Sequence, residues 1–292
     1  MLDVHIARLV VVGVGLIGGS VAAALKRRGA VDHVIGVGRG MTNLQQALSL
    51  GVIDEIAQDL TTAVRGADVV LVSVPVKQTA GVLERLSQCL DKRVIVTDAG
   101  STKRDFVRMA GEKLGETARR VVPGHPIAGA ERTGVGAATP DLFAGKRTVL
   151  TPLVDTDPNA VDRVESMWRT CGAKVTRMSP EHHDSVFSAV SHLPHVLSYA
   201  LVEMIASRDN GEELFSFAAS GFRDFTRIAG SSPEMWRDIC AANGDQLLCD
   251  IESFQRALSL LAGYIRDGKM DQVEAIFAAA AKARNAWVGD LS

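Results

Sequence analysis

Three glycines near the N-terminus, Gly13, Gly15 and Gly18, are spaced Gly-x-Gly-x-x-Gly directly after the apolar run Leu9–Val12 and directly before a helical pattern. A dinucleotide requires that order. The first glycine permits a tight turn, the second lets the backbone approach a pyrophosphate, and the third lets helix and sheet pack closely while the helix N-terminus faces the anion. Leu16 and Ile17 lie in the same loop, and Ser73 and Pro75 at the end of Val69–Val74 are assigned to the same cofactor site. About 20 residues beyond the loop, an Asp or Glu would normally accept from the ribose hydroxyls of NAD. Here the chain reads Gly38-Arg39. No carboxylate is present to repel a 2′-phosphate, and a guanidinium able to bind one bidentately follows, so NADP is the expected cofactor and NAD the second choice.

A dinucleotide loop does not name a reaction. Other chemistry-bearing signals are Asp98-Ala-Gly-Ser101-Thr-Lys103, Gly124-His125-Pro126-Ile-Ala-Gly129-Ala-Glu131 and Ser191-His192-Leu-Pro194-His195. Gly221-Phe-Arg223-Asp224-Phe-Thr-Arg227 and Trp236 complete the set. The pair His182-His183 beside Glu181 and Asp184 is not read as a metal site, because adjacent helical residues point in different directions. A capped helix start accounts for them. Phe215, Phe217, Phe222 and Phe225 read as core contacts rather than as a platform for bases.

The elements that must position these groups change character along the chain. Leu9–Val12, Val34–Val37, Val69–Val74, Val94–Thr97, Val121–Val122 and Thr148–Leu150 read as strands rich in β-branched residues. They alternate with helical stretches such as Leu16–Arg28, ended by Gly29, and Val76–Leu90. Such βαβ alternation predicts a doubly wound parallel sheet with ligands at the strands' carboxyl ends. Beyond Arg177, Ser179-Pro180 supplies an N-cap and a proline at the first helical position, and helical patterns then run on without a convincing strand. The expected architecture is an α/β Rossmann-type dinucleotide-binding domain over residues 1–177, followed by an all-α substrate and dimerisation domain over 178–292. The runs Leu247–Tyr264 and Met270–Val288 are apolar over more than one narrow stripe, which points to helices buried by others or by a second subunit in an intertwined homodimer.

Composition narrows the partners. The chain has 292 residues, 47% of them apolar and 5% aromatic, ample for a core and for two domains. A net charge of -2, with both signs interspersed, gives no footprint for nucleic acid or an anionic membrane, so a small-molecule partner is expected. The four cysteines are scattered, form no Cys-x-x-Cys pair and fit free thiols in a reducing compartment. Leu9–Val14 is too short for a membrane span and Met1–His5 has no basic leader, so the expected location is the cytoplasm.

In their order and nearly in their spacing, the motifs from Asp98 to Trp236 resemble the prephenate/arogenate dehydrogenases of tyrosine biosynthesis, and the resemblance covers nearly the whole chain. The departures are Gly38-Arg39, where many members have Asp, and Ser220, where others have glycine. The resemblance implies oxidative decarboxylation of a cyclohexadienol: hydride leaves C4, the 4-hydroxyl loses its proton and the ring carboxylate departs as CO₂. Prephenate would yield 4-hydroxyphenylpyruvate, and arogenate tyrosine. His125 is implied as the base, a role that suits a neutral imidazole near neutral pH. Ser101 is implied as a partner for the same hydroxyl, and Arg227 as the guanidinium for a substrate carboxylate. His195, Ser220 and Asp224 are implied as pocket residues, and Glu131 and Trp236 as residues that shape or gate the pocket. His192 reads as packing or capping, and Arg223 with Asp224 either as a mutual pair or as an orienting loop.

The motifs leave the choice between prephenate and arogenate open, along with acceptance of both and feedback inhibition by tyrosine. No separate regulatory module is evident. The alternative enzyme reading is a β-hydroxyacid dehydrogenase or imine reductase of similar architecture. Those rely on a lysine in the helical half, and no such motif occurs between Arg177 and Gly268. The alternative outside enzymes is a regulator that senses NADP without turnover.

Overall fold

The computed structural model describes residues 4–130 and 132–289. Backbone contacts divide the chain into one unit, Met1–Gly244, and a second, Asp245–Ser292. The first unit opens with β1 (Ile6–Val12), α1 (Leu16–Arg27), β2 (Val31–Val37), α2 (Met41–Ser49), β3 (Glu55–Ala57) and α3 (Leu60–Ala63). It continues with β4 (Val69–Val72), α4 (Val76–Ser87), β5 (Ile95–Asp98), α5 (Arg104–Leu114) and β6 (Val121–Val122). These six strands form one sheet in the order β3-β2-β1-β4-β5-β6, every neighbouring pair parallel.

Successive strand residues point to opposite faces, so the apolar run of β1 serves two cores. Leu9 and Val11 enter the core on one face of the sheet, Val10 and Val12 the core on the other. The order reverses at β1, with β2 on one side and β4 on the other, which opens a crevice at their carboxyl ends. Gly13 and Ser73 stand at those two ends.

The strand–helix alternation predicts a single parallel sheet, and here the structure differs. β7 (Gly124–Pro126), β8 (Arg147–Leu150) and β9 (Lys174–Arg177) form a second sheet, with β7 antiparallel to β8 and β8 parallel to β9. α6 (Pro158–Thr170) precedes β9 and buries Trp168 against Phe143. β7 is hidden in the sequence because it consists of Gly-His-Pro, three residues without β-branched character. His125 consequently lies within a strand, its backbone paired with Val149.

After β9 the described residues contain no further strand. α7 (Pro180–Phe187) starts as expected, with the Ser179 hydroxyl accepting from the His182 amide and Pro180 in the first turn. A π turn over Ser188–His192 joins it to α8 (Leu193–Ala206). Pro194 accounts for the wide turn, since it cannot donate to the ladder and its ring would clash with the carbonyl four residues earlier. Pro180–Ala206 is long and apolar enough to cross a membrane by length and composition. Its buried residues include His183, Asp184 and His192, which are hydrogen-bonded within the first unit. α9 (Gly211–Ser216), α10 (Ser220–Thr226) and α11 (Pro233–Ala242) complete the unit, with α7 packed on α5 and α11 on α4. Residue 177 therefore marks a change of secondary structure, while the compact unit runs on to Gly244. The second unit consists of two helices, α12 (Gly244–Arg266) and α13 (Met270–Gly289), joined by a short turn in which Gly268 has φ +68°.

The two sheets meet at a buried ion pair. Lys103 Nζ donates to Asp98 Oδ2 at 2.5 Å and to the Gly124 carbonyl at 2.8 Å. Asp98 also accepts from the amides of Gly100 at 2.8 Å and Gly124 at 2.9 Å. Burial raises Asp98 and lowers Lys103 from their ordinary values; their mutual attraction opposes both shifts, and the amides of Gly124 and Gly100 oppose that of Asp98. Lys103→Met should leave an uncompensated buried carboxylate and cost about 3–5 kcal/mol, read as a lower urea midpoint at unchanged slope. The double variant Lys103→Met/Asp98→Leu should recover part of that loss, and an unaffected single variant would show that the pair does not join the sheets.

Candidate active site

The glycine loop is shaped for a diphosphate. Gly13 has φ +97°, and a Cβ there would lie 2.5 Å from the Ser73 carbonyl oxygen. A Cβ at Gly18 would lie 2.3 Å from Ser73 Oγ and 2.5 Å from the Gly13 carbonyl oxygen. Gly15, by contrast, faces open space, as close approach of a ligand to the backbone requires. Ser73 fastens the turn by donating from its hydroxyl to the Gly13 carbonyl at 2.8 Å. Leu16 and Ile17 start α1 and pack against the core.

A cleft of about 910 Å³ opens over this loop and is bounded by Gly13, Gly15, Gly38, Arg39, Ser73 and Pro75. Lys77 and Arg85 line it as well. Asn43 fixes its wall, donating to the Val14 carbonyl at 2.6 Å and accepting from the Val135 amide at 3.1 Å. The cradle, the absence of a side chain at its centre and the cationic rim fit a dinucleotide.

One strand from β4, the Asp98–Lys103 pair sets out the next part. Ser101 lies half-buried inside the turn the pair closes, and His125 follows Gly124, which the pair holds by both its N–H and its carbonyl. His125 Nδ1 is 2.9 Å from His183 Nε2, and His183 Nδ1 is 2.8 Å from Asp184 Oδ1. Phe187 packs on both imidazoles, at ring separations of 4.9 Å and 4.5 Å. Burial, with the neighbouring His183 and Lys103, holds His125 well below the ordinary imidazole value of 6.5, so it is neutral at physiological pH. His183 is lowered in the same way, chiefly by burial and against the opposing pull of Asp184. Asp184 is itself lowered: burial raises it, but is outweighed by the His183 contact and the amides of Arg104 and Lys103.

A second cluster comes from the helical half. The His195 ring stacks on Trp236 with centroids 3.6 Å apart, and its Nδ1–H donates to the Ser191 carbonyl at 2.9 Å, a bond the π turn makes available. Burial lowers His195, with a smaller contribution from the Arg227 guanidinium, which is itself exposed. Trp236 is buried, and its indole N–H has no partner among the described residues, leaving a donor for a ligand. His192 links the clusters, 6.1 Å from the Trp236 ring and 3.2 Å from the Asn243 amide nitrogen. Asn243 donates in turn to the Asp184 carbonyl at 2.8 Å. His192 is thus a buried member of the network rather than a capping residue.

The structure does not gather every expected residue. Ser220, Arg223 and Asp224 are exposed on α10, and Arg223 and Asp224 do not pair with each other. Glu131 lies outside the described residues. Conversely, the sequence reading passes over His183, Asp184 and Asn243, all fully buried. A capped helix start explains Ser179 and the exposed Glu181 and His182, but not this pair. Their signal was the helical spacing: His183 and Asp184 stand four residues before the buried Phe187 and Ser188 and share their inward face.

Three histidines, His183 and His192 fully buried and His125 half-buried, tie stability to pH. His125, His183 and His192 are all lowered from 6.5, His192 to about 4. Between those lowered values and about 6.5 the unfolded chain binds more protons than the folded one, so stability rises with pH across that window. Tm should therefore fall as pH is lowered from about 6.5 to about 5, above the carboxylate range, and level off above about pH 7. A Tm constant over that interval in thermal denaturation would contradict the burial of neutral imidazoles.

Family models match both halves: the prephenate dehydrogenase nucleotide-binding domain at residues 21–177 and the prephenate dehydrogenase dimerization domain at residues 179–279. Prephenate dehydrogenase of Bacillus subtilis is 38% identical over 259 residues, 88% of this chain and 70% of that protein. Cyclohexadienyl dehydrogenase of Zymomonas mobilis is 34% identical over 98% of this chain and 97% of its own. The crystal structure of Aquifex aeolicus prephenate dehydrogenase, in complex with hydroxyphenyl propionate and NAD+, superposes with a TM-score of 0.88 at 37% identity, covering 96% of this chain and 98% of that one. With its cofactor cradle and histidine network in place, the chain belongs to the prephenate dehydrogenase family.

Proposed function

We propose that this protein oxidatively decarboxylates prephenate, arogenate or both to the corresponding 4-hydroxyphenyl product, with NADP preferred over NAD. The observation that carries the reading is His125: a neutral imidazole, held in β7 beside the turn of Ser101, next to the strands that carry a dinucleotide cradle. The nicotinamide supplies the hydride acceptor. His125 takes the proton of the substrate's 4-hydroxyl, and Ser101 hydrogen-bonds the same oxygen, so that charge developing on it as hydride leaves is relieved without free hydroxide. Loss of the ring carboxylate as CO₂ then aromatises the ring, and the phenolate oxygen takes the proton back from His125. Arg227 binds a substrate carboxylate with its planar fork, and His195 with the Trp236 N–H lines the rest of the pocket. Glu131, Ser220 and Asp224 are assigned to the pocket rim.

The NADP preference rests on Arg39, which borders the cleft where an NAD-binding carboxylate would stand and shares that border with Lys77 and Arg85. Phe215, Phe217 and Phe225, expected as core contacts, are exposed, and homodimerisation through the helical half would cover them together with Val190 on the π turn and Met204 on α8.

A two-by-two assay of both substrates with both cofactors, reading NAD(P)H at 340 nm together with CO₂ release, tests the function; no turnover in any of the four combinations would refute it. His125→Asn should retain cofactor binding and lose roughly 10²–10⁴ in kcat. Arg39→Ala should lower kcat/KM with NADP by about 10- to 100-fold, the worth of a charge-assisted hydrogen bond, and leave NAD nearly unaffected. A wild-type preference for NAD would refute the cofactor assignment while leaving the reaction intact.

A further inference from the structure

Asp184 stands where the two halves of the catalytic rim can be set by one group. Its carboxylate is fully buried and takes donors from two directions. From one side, Oδ1 accepts from the Lys103 amide at 2.8 Å, and Oδ2 from the Arg104 amide at 2.9 Å and Arg104 Nε at 3.3 Å. Those amides are the first of α5, whose N-cap residue, Lys103, makes no side-chain cap of its own. Asp184 therefore caps α5 across 80 residues of chain and fixes the exit of the turn that carries Ser101. From the other side, Oδ1 lies 2.8 Å from His183 Nδ1.

The second direction determines where protons sit. An ionised carboxylate can only accept, so His183 must place its proton on Nδ1. In a neutral ring that leaves a lone pair on Nε2, and the atom 2.9 Å from it, His125 Nδ1, must be the donor. His125 is neutral too, so its remaining nitrogen, Nε2, carries a lone pair. Reversing the chain would place a proton on Nε2 of His125 and leave it unable to accept one.

We propose that Asp184 is a positioning residue for both catalytic groups: through His183 it locks His125 in the Nδ1–H tautomer with Nε2 free as the base, and by capping α5 it fixes the turn bearing Ser101. The arrangement has the logic of a carboxylate that orients a catalytic imidazole without itself taking the proton. Arg104 and Asn243 complete it: Arg104 donates to the Asn243 side-chain carbonyl at 3.1 Å, and Asn243 holds the Asp184 backbone. The functional consequence rests on the reaction proposed above; the tautomer does not.

The test combines Asp184→Asn, which substitutes a group able to donate to His183, with His183→Phe, which cuts the link to His125 but leaves the cap on α5. Nitrogen-15 NMR of histidine-labelled protein should show wild-type His125 protonated on Nδ1, Asp184→Asn shifted towards Nε2, and His183→Phe a mixture. The kcat of Asp184→Asn should fall by about 10³–10⁴, the scale seen when an imidazole is left in the wrong tautomer. Cofactor Kd should stay unchanged, and neither substitution should lower kcat further in a His125→Asn background. Wild-type His125 protonated on Nε2 would overturn the proposal whether or not the protein turns over a cyclohexadienol, and so would full additivity with His125→Asn. If Asp184→Asn does not fold, His183→Phe decides alone: an unchanged tautomer with kcat within about threefold of wild type counts against the relay.

Discussion

Much of this molecule depends on one buried carboxylate–ammonium contact. Asp98 closes the strand that lies beside the cofactor crevice, and Lys103 returns to it across the four residues between them, which fixes that turn. The same two side chains hold Gly124 by its amide and its carbonyl, fastening the first strand of the second sheet to the end of the first. Ser101 is inside the turn and His125 is one residue past the fastening. A pair of charges taken out of water at this cost contributes geometry more than stability: it fixes the turn that carries Ser101 relative to the strand that carries His125.

The sheet was legible in the sequence and the second sheet was not, for a physical reason. Leu9–Val12 and Val69–Val72 are buried on both faces, so their composition alone identifies them. Gly124–Pro126 is a strand only because Thr148–Leu150 pairs with it and Asp98 holds its first residue, interactions contributed from elsewhere in the chain. The glycine loop could be read because each glycine answers a local steric demand, visible at Gly13 and Gly18 as contacts that a methyl group would violate. The Asp184–His183 pair could not, because its meaning arises from groups 58 and 81 residues away. His125 and His195 were legible through motif order, whereas the exposed Ser220 and Asp224 show that such order does not by itself bring a side chain to the cluster.

Charge is distributed with the same economy. The cationic side chains Arg39, Lys77 and Arg85 border the cleft where phosphate is expected, whereas the imidazoles at the reacting end are kept neutral by burial. One fold thus holds two dielectric environments: a solvated cationic rim that attracts an anion, and a more secluded cluster whose imidazoles stay neutral near neutral pH.

The wide turn at Ser188–His192 has a bearing on how the helix is clocked. One extra residue in a turn rotates everything beyond it by about 100° relative to a regular α-helix. That rotation presents His195 to Trp236 and, further along the same helix, turns Met204 to the surface. Phasing of the pocket and of the outer face is therefore one property, set at Pro194. A one-residue deletion here would put both faces out of step at once, while Pro194 would still leave a gap in the hydrogen-bond ladder.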